Sequence, residues 1–287
     1  MNTTDLEERL YRHVKFLTEL NPPRNSANVS SLNKAAQYIK EQFSEFTGNI
    51  SEQTWTAGGN EYKNIIAVYN PEAGNRIIVG GHYDVCCESP GADDNASAVA
   101  GLIETARMVF QDKPELDYGI EFVAYSLEEP PHFSGESMGS YVHAKSIDPE
   151  KTLGMVCYEM IGYFSDEPGS QDFPYPEMAA MYPSTGNFIV VLSIPQFSDF
   201  NGEVFRRMKG KADIGIYQAI FDDSFSYRSD HINYWQMGIP AVMISDTAYI
   251  RNPNYHELTD TIDTLDFYKM GETVKATYNA IVDFNNR

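Results

Sequence analysis

Cysteine is scarce in this chain: three residues among 287, two of them the neighbours Cys86 and Cys87. This excludes a disulfide-stapled scaffold, because adjacent cysteines are poorly placed to bridge each other. Basic residues are also few. Against 41 Asp and Glu stand only 21 Lys and Arg, a formal net charge of -20, which argues against nucleic acid or an anionic membrane as partner, since either needs a positive face to replace counterions. No run approaches the ~20 consecutive apolar residues of a transmembrane helix, and the opening MNTTDLEERLYRHVKFLTEL lacks the uninterrupted apolar core of a signal peptide. The expected location is therefore a reducing, cytoplasmic compartment, or an exported one if a leader has been trimmed. No internal repeat, low-complexity tract or linker divides the chain, so residues 1–287 are expected to form one domain.

What is present suits a packed core: 42% hydrophobic residues, 13% aromatic. Leu6, Leu10, Val14, Leu17 and Leu20 keep a helical stripe that Asn21, Pro22 and Pro23 stop, and Ala35, Ala36, Ile39, Phe43 and Phe46 make a second. Short apolar runs at Ile65 to Tyr69, Ile77 to Val79, Ile120 to Leu127, Met155 to Cys157, Phe188 to Leu192, Ile216 to Ala219 and Ala241 to Ile244 read as strands. Helices are expected from Ala96 to Phe110, Met138 to Lys145, Phe197 to Lys209, His231 to Met237 and Phe267 to Phe284. Strands alternating with helices predict an α/β fold with a central mixed, mostly parallel sheet covered on both faces. The proline-rich stretch from Ser165 to Thr185 reads as a long surface loop of the kind that lines active sites.

The chemistry concentrates where strands end. His82, in Gly80-Gly81-His82-Tyr83-Asp84, follows a buried run, and open α/β sheets bind ligands at the carboxyl ends of their strands. Asp84, two residues on, can approach the same neighbourhood and orient the imidazole. Asp94, in Gly91-Ala92-Asp93-Asp94-Asn95, precedes a helix; Glu128 and Glu129 follow Phe122 to Leu127; Glu159 follows Gly154 to Tyr158; His256 lies in a loop before the last helix. Each has an ordinary explanation alone: a hydrogen-bonded histidine, a helix cap, a solvated glutamate pair. Their joint fall at sheet-edge positions points instead to a hydrolytic site for a hard divalent cation, which takes imidazole nitrogen and carboxylate oxygen. Two adjacent glutamates can divide the labour, one holding metal and one moving a proton.

These residues resemble the co-catalytic zinc aminopeptidases of metallopeptidase family 28, which share the zinc-exopeptidase, phosphorylase/hydrolase-like fold with the single-zinc glutaminyl cyclases. The match runs from Asn64-Ile65-Ile66-Ala67 through GGHYD, PGADDNASAVAGLIE, FVAYSLEE, YEMIG, YRSDH and GIPAV to RNPNYHELTDT. The resemblance implies two zinc ions bridged by Asp94, one site completed by His82 and Glu159 and the other by Glu129 and His256. It makes Glu128 the general base and Asp84 the partner of His82, and implies a cis peptide bond between Asp94 and Asn95. Asp230 would lie near the metal and His231 would be structural. The implied substrates are peptides with a free N-terminus, with no preferred first residue and no oligomeric state indicated. The alternatives are a one-zinc glutaminyl cyclase using Asp94, Glu129 and His256, and a catalytically silent binding relative.

Two features depart from the family pattern: Glu159 stands where aspartate is usual, and Pro130 to Ser137 replaces a shorter turn, which would reshape the pocket rim. Among Tyr163, Phe164, Phe221, Phe225, Tyr227 and Tyr249 are the candidates for a pocket around the substrate's first side chain. Cys86 and Cys87 read as packing residues, His132 as a loop residue and His143 as a helix-surface residue.

Overall fold

Eight strands among the described residues make one sheet: β1 (Ile50–Ala57), β2 (Asn60–Tyr69), β3 (Arg76–His82), β4 (Gly119–Tyr125), β5 (Thr152–Tyr158), β6 (Phe188–Ser193), β7 (Gly215–Ile220) and β8 (Ala241–Ser245). In this computed structural model, which describes residues 3–284, their order is β1-β2-β4-β3-β5-β8-β6-β7. The extreme ends of the domain span read from the sequence lie outside the described residues. The pairs β3/β4, β3/β5, β5/β8 and β6/β7 are parallel, and β1/β2, β2/β4 and β6/β8 antiparallel. The sheet is thus mixed with a parallel centre, as the alternating strands and helices predict.

Among the described residues seven α-helices accompany it: α1 (Thr3–Thr18), α2 (Val29–Ser44), α3 (Ala98–Asp112), α4 (Gly139–Ser146), α5 (Ser198–Met208), α6 (His231–Gln236) and α7 (Phe267–Val282). Successive strand residues point to opposite faces. Ile65, Ala67, Ile77, Val79, Ile120 and Phe122 therefore enter the larger core with α1, α2, α3, α5 and α7, while Ile66, Ile78, Val123 and Tyr125 enter a second core under α4 and α6. The stripe Leu6, Leu10, Val14 and Leu17 is fully buried and places α1 chiefly on α3 and α7. Among the described residues no helix is long and apolar enough to cross a membrane.

The structure adds β1 and the first half of β2, which carry no continuous apolar run. Their hairpin turns at Gly58 and Gly59, with φ of 56° and 84°, the positive pair that a tight hairpin whose twist matches its strands requires. It also corrects His143. The side chain is buried between α4 and α6, with Nδ1 2.7 Å from the Tyr234 hydroxyl, and burial together with Arg76 holds the imidazole down to about 3. An eight-residue helix pressed between the sheet and a neighbouring helix has little outer face left for it.

Candidate metal centre

The parallel strands β4, β3, β5 and β8 lie side by side, and their carboxyl ends present the candidate residues. His82 is the last residue of β3, Glu159 follows β5 directly, and Glu128 and Glu129 come just after β4. Asp94 arrives from the turn before α3 and His256 from the loop before α7. The chain re-aims itself at these points. Leu127, Met160 and His256 have φ of 64°, 48° and 61°, a left-handed backbone that costs a non-glycine residue about 1–3 kcal/mol and persists only where surroundings enforce it. Gly91, φ 63°, is required in the Asp94 turn, since a Cβ there would run into Val85 and the Asp94 carbonyl. The Asp94–Asn95 peptide is cis, as the resemblance implied.

Asp94 divides its two oxygens between two groups. Oδ1 lies 3.5 Å from His82 Nε2, which is 3.4 Å from Glu159 Oε2. Oδ2 lies 3.1 Å from His256 Nε2, which is 3.3 Å from Glu129 Oε2. Glu128 stands to one side, its Oε2 3.8 Å from His82 Nε2. Glu159 is further held by the Ser229 hydroxyl at 2.6 Å and the Asn95 amide at 3.2 Å, so the longer side chain in place of aspartate is a pinned one. Asp230 is wholly buried nearby, where burial raises its carboxyl to about 7. His231 turns away, its Nε2 2.8 Å from the Ser226 carbonyl, a structural role as read from the sequence.

Asp84 does more than accompany His82. Its carboxylate accepts the backbone N–H of Glu128 at 3.1 Å and of Glu129 at 3.0 Å, while His82 Nδ1 lies 3.2 Å from the Asp84 carbonyl and 3.6 Å from Oδ1. One aspartate thus positions the imidazole and both glutamates. We expect Asp84→Ala to orphan two buried donors, at about 1–3 kcal/mol each, lowering the denaturation midpoint and weakening metal retention together. A variant of wild-type stability would overturn this bracing role.

Three further residues support the cluster through backbone and amide groups. Arg24, fully buried, donates to the carbonyls of Leu17, Tyr83, Pro90 and Gly91 at 2.7–3.1 Å, tying the His82 and Asp94 turns to α1. Asp260 accepts the N–H of Asp93 at 2.9 Å and of Asp94 at 3.0 Å. Asp93 accepts from the Gly162 N–H at 2.9 Å and the Asn252 amide at 2.7 Å. Asp94 is therefore set in a hydrogen-bonded frame.

The electrostatics are those of a cation site. Burial, Glu129 and Glu159 push Glu128 well above the usual carboxylate range, and burial and Asp94 raise Glu129 to about 7. Burial would lower both imidazoles, but Glu128 and Glu159 outweigh it at His82, and Asp94 and Glu129 lift His256 to about 10. Asp94 Oδ1 and Glu129 Oε1 are buried without a hydrogen-bond partner, a costly state unless a cation satisfies them. Ligand atoms of His82, Asp94 and Glu129 lie within 4.8 Å of one another. Imidazole nitrogens and carboxylate oxygens in this arrangement fit zinc.

Beside the cluster opens an apolar pocket of about 750 Å³ including its mouth. Phe221, Phe225 and Tyr249 line it as anticipated; Tyr163, Phe164 and Tyr227 are not among its walls. The loop from Ser165 to Thr185 contributes Phe173, Met178 and Tyr182, and Pro130 and Phe133 of the unusual turn line the metal cleft. Glu159, Arg228 and Tyr255 border both spaces. The last two escaped the sequence reading. Arg228 lies 5.2 Å over the Tyr249 ring, and Tyr255 stacks on His256 at 3.7 Å between ring centroids. Burial and the carboxylates of Asp94 and Glu129 keep the Tyr255 hydroxyl protonated.

Comparison with known proteins places the chain in a family. The chain is 42% identical over 278 residues to an uncharacterized Escherichia coli protein, YfbL, covering 93% of this chain and 85% of that one. Its fold is similar to the LapA aminopeptidase of Legionella pneumophila, TM-score 0.77 at 18% identity, over 98% of this chain and 72% of LapA. It is also similar to the Bacteroides thetaiotaomicron glutaminyl cyclase, TM-score 0.72 at 20% identity, over 96% and 97%. The sequence profile of peptidase family M28 matches residues 64–281, a span holding every candidate ligand. The chain belongs to peptidase family M28 and is a hydrolase of the metallopeptidase class.

Proposed function

We propose that this protein is a two-zinc aminopeptidase that removes the N-terminal residue of peptides. The observation that carries this reading is the division of Asp94, one oxygen facing His82 and Glu159 and the other facing His256 and Glu129. Zinc ions held by these five residues would supply Lewis acidity, polarising a carbonyl and acidifying water. Glu128 takes a proton from water as its oxygen attacks the carbonyl carbon, and returns it to the amine as the C–N bond breaks. Tyr255, protonated and facing both the cleft and the pocket, can donate to the carbonyl oxygen as charge develops there. Glu159, at the junction of the two spaces, is placed to attract the free α-ammonium group.

The apolar pocket argues for a bulky apolar first residue. Each methylene accommodated there is worth about 1–3 kcal/mol in discrimination. Leucyl and phenylalanyl substrates are expected to exceed alanyl ones at least tenfold in kcat/KM, and Ala219→Phe, in the pocket wall, to reverse that order. Equal rates across aminoacyl substrates would separate the pocket from specificity. The reading as a whole is tested by metal content and aminoacyl-peptide hydrolysis on the same zinc-saturated preparation.

The glutaminyl cyclase reading draws on a fold likeness that runs nearly end to end. It leaves His82 and Glu159 without a metal-binding task, although both are buried and His82 Nε2 lies 3.5 Å from Asp94 Oδ1 and 3.4 Å from Glu159 Oε2. One zinc per chain with conversion of N-terminal glutamine would put the cyclase first. No metal and no turnover would favour a silent binding relative.

A further inference from the structure

The sulfur of Cys86 faces the same space as two of the candidate ligands. Its Sγ and ligand atoms of Glu129 and His256 all lie within 4.8 Å of one another, and Cys86 is buried while Cys87 is exposed. One oxygen of that Glu129 carboxylate, Oε1, is buried with no hydrogen-bond partner, so the sulfur shares its corner with an incompletely satisfied carboxylate and an imidazole. We propose that Cys86 is a thiolate ligand of the metal ion held by His256 and Glu129, so that the two halves of the cluster differ: nitrogen and oxygen around His82, and nitrogen, oxygen and sulfur around His256. This rests on the metal-centre reading above.

Bond lengths make the assignment reasonable. Zinc binds sulfur at about 2.3 Å and imidazole nitrogen at about 2.0–2.1 Å, so two such ligands at a tetrahedral angle stand about 3.6 Å apart. Closing from a spacing of at most 4.8 Å needs no more than about 1.2 Å of relative movement on that geometry. The neighbouring thiol of Cys87, with Sγ 3.2 Å from that of Cys86, belongs to an exposed residue, and the metal-ligating group contains Cys86 alone of the two. A thiolate in the shell favours zinc or cobalt over manganese and magnesium, which prefer oxygen.

Cobalt(II) tests this directly, because a thiolate–cobalt bond gives a near-ultraviolet charge-transfer band and oxygen or imidazole ligands do not. The full chain would be loaded with cobalt, its spectrum recorded, and bound cobalt counted by elemental mass spectrometry. The band is expected in the wild type and in Cys87→Ser and Cys157→Ser, and is expected to vanish in Cys86→Ser. Two cobalt ions per chain without the band would overturn the thiolate and leave the two-metal reading standing. One ion with the band would support the thiolate and overturn the two-metal reading. A band that survives Cys86→Ser overturns the assignment, and absence of bound cobalt overturns both.

Discussion

Glu128→Ala is expected to lower kcat on a leucyl substrate by about a thousandfold or more, within the roughly 10²–10⁴-fold range that a placed proton carrier contributes, while zinc content stays at the wild-type value. The geometry separates this residue from its neighbour. Glu129 Oε2 lies 3.3 Å from His256 Nε2, whereas Glu128 Oε2 lies 3.8 Å from His82 Nε2. The backbones of both are fixed by Asp84, so removing one side chain leaves the other anchored. Burial and the adjacent carboxylates push Glu128 above the ordinary range, the direction that makes a carboxylate a better proton acceptor. Glu128→Gln keeps the shape and should be as inactive, which distinguishes proton transfer from packing. Glu129→Ala should instead lose metal. Turnover retained by a metal-loaded Glu128→Ala enzyme would end the assignment.

Much of this site was legible because its residues sit at positions where the sheet stops being able to bury them. Charge placed directly after a run such as Phe122 to Leu127 or Gly154 to Tyr158 has no core to enter, and in a parallel sheet those ends converge on one edge. Spacing along the chain therefore reported proximity in space. The supports were not legible for the complementary reason. Arg24 works through four backbone carbonyls and Asp260 through two backbone N–H groups, and neither contact leaves a mark in residue types. Tyr255 stood beside His256 in the sequence, but only the loop's path shows that it borders both cleft and pocket. β1 was missed because its stabilisation comes from pairing with β2 at the sheet edge, with polar residues outward; the Gly58-Gly59 pair was the signal available, and an apolar-run criterion passes over it. His143 shows the converse: a polar residue on a short helix looked exposed until a second helix was laid against it.

Asp94→Ala is expected to abolish binding at both halves of the cluster, reducing tightly held zinc from about two per chain to none, whereas His82→Ala or His256→Ala should each leave one. The difference follows from which oxygen meets which partner. A terminal ligand serves one ion, but Asp94 Oδ1 and Oδ2 face separate groups, and its backbone is clamped by Asp260 so that no neighbour can take its place. Stability should report the same division. Binding to the folded state alone adds about 2.7 kcal/mol for each site at a hundred times its Kd, so zinc should raise the wild-type Tm by the effect of two sites, the terminal-ligand variants by one, and Asp94→Ala not at all. The measurement is Tm with and without zinc, beside elemental analysis of the same samples. A zinc-dependent Tm rise in Asp94→Ala equal to that of His82→Ala would mean that Asp94 serves a single ion. A one-metal centre would show itself otherwise: a zinc-dependent Tm rise in His82→Ala equal to that of the wild type, with none in Asp94→Ala, would leave His82 a positioning residue, the arrangement that suits a cyclase better than an aminopeptidase.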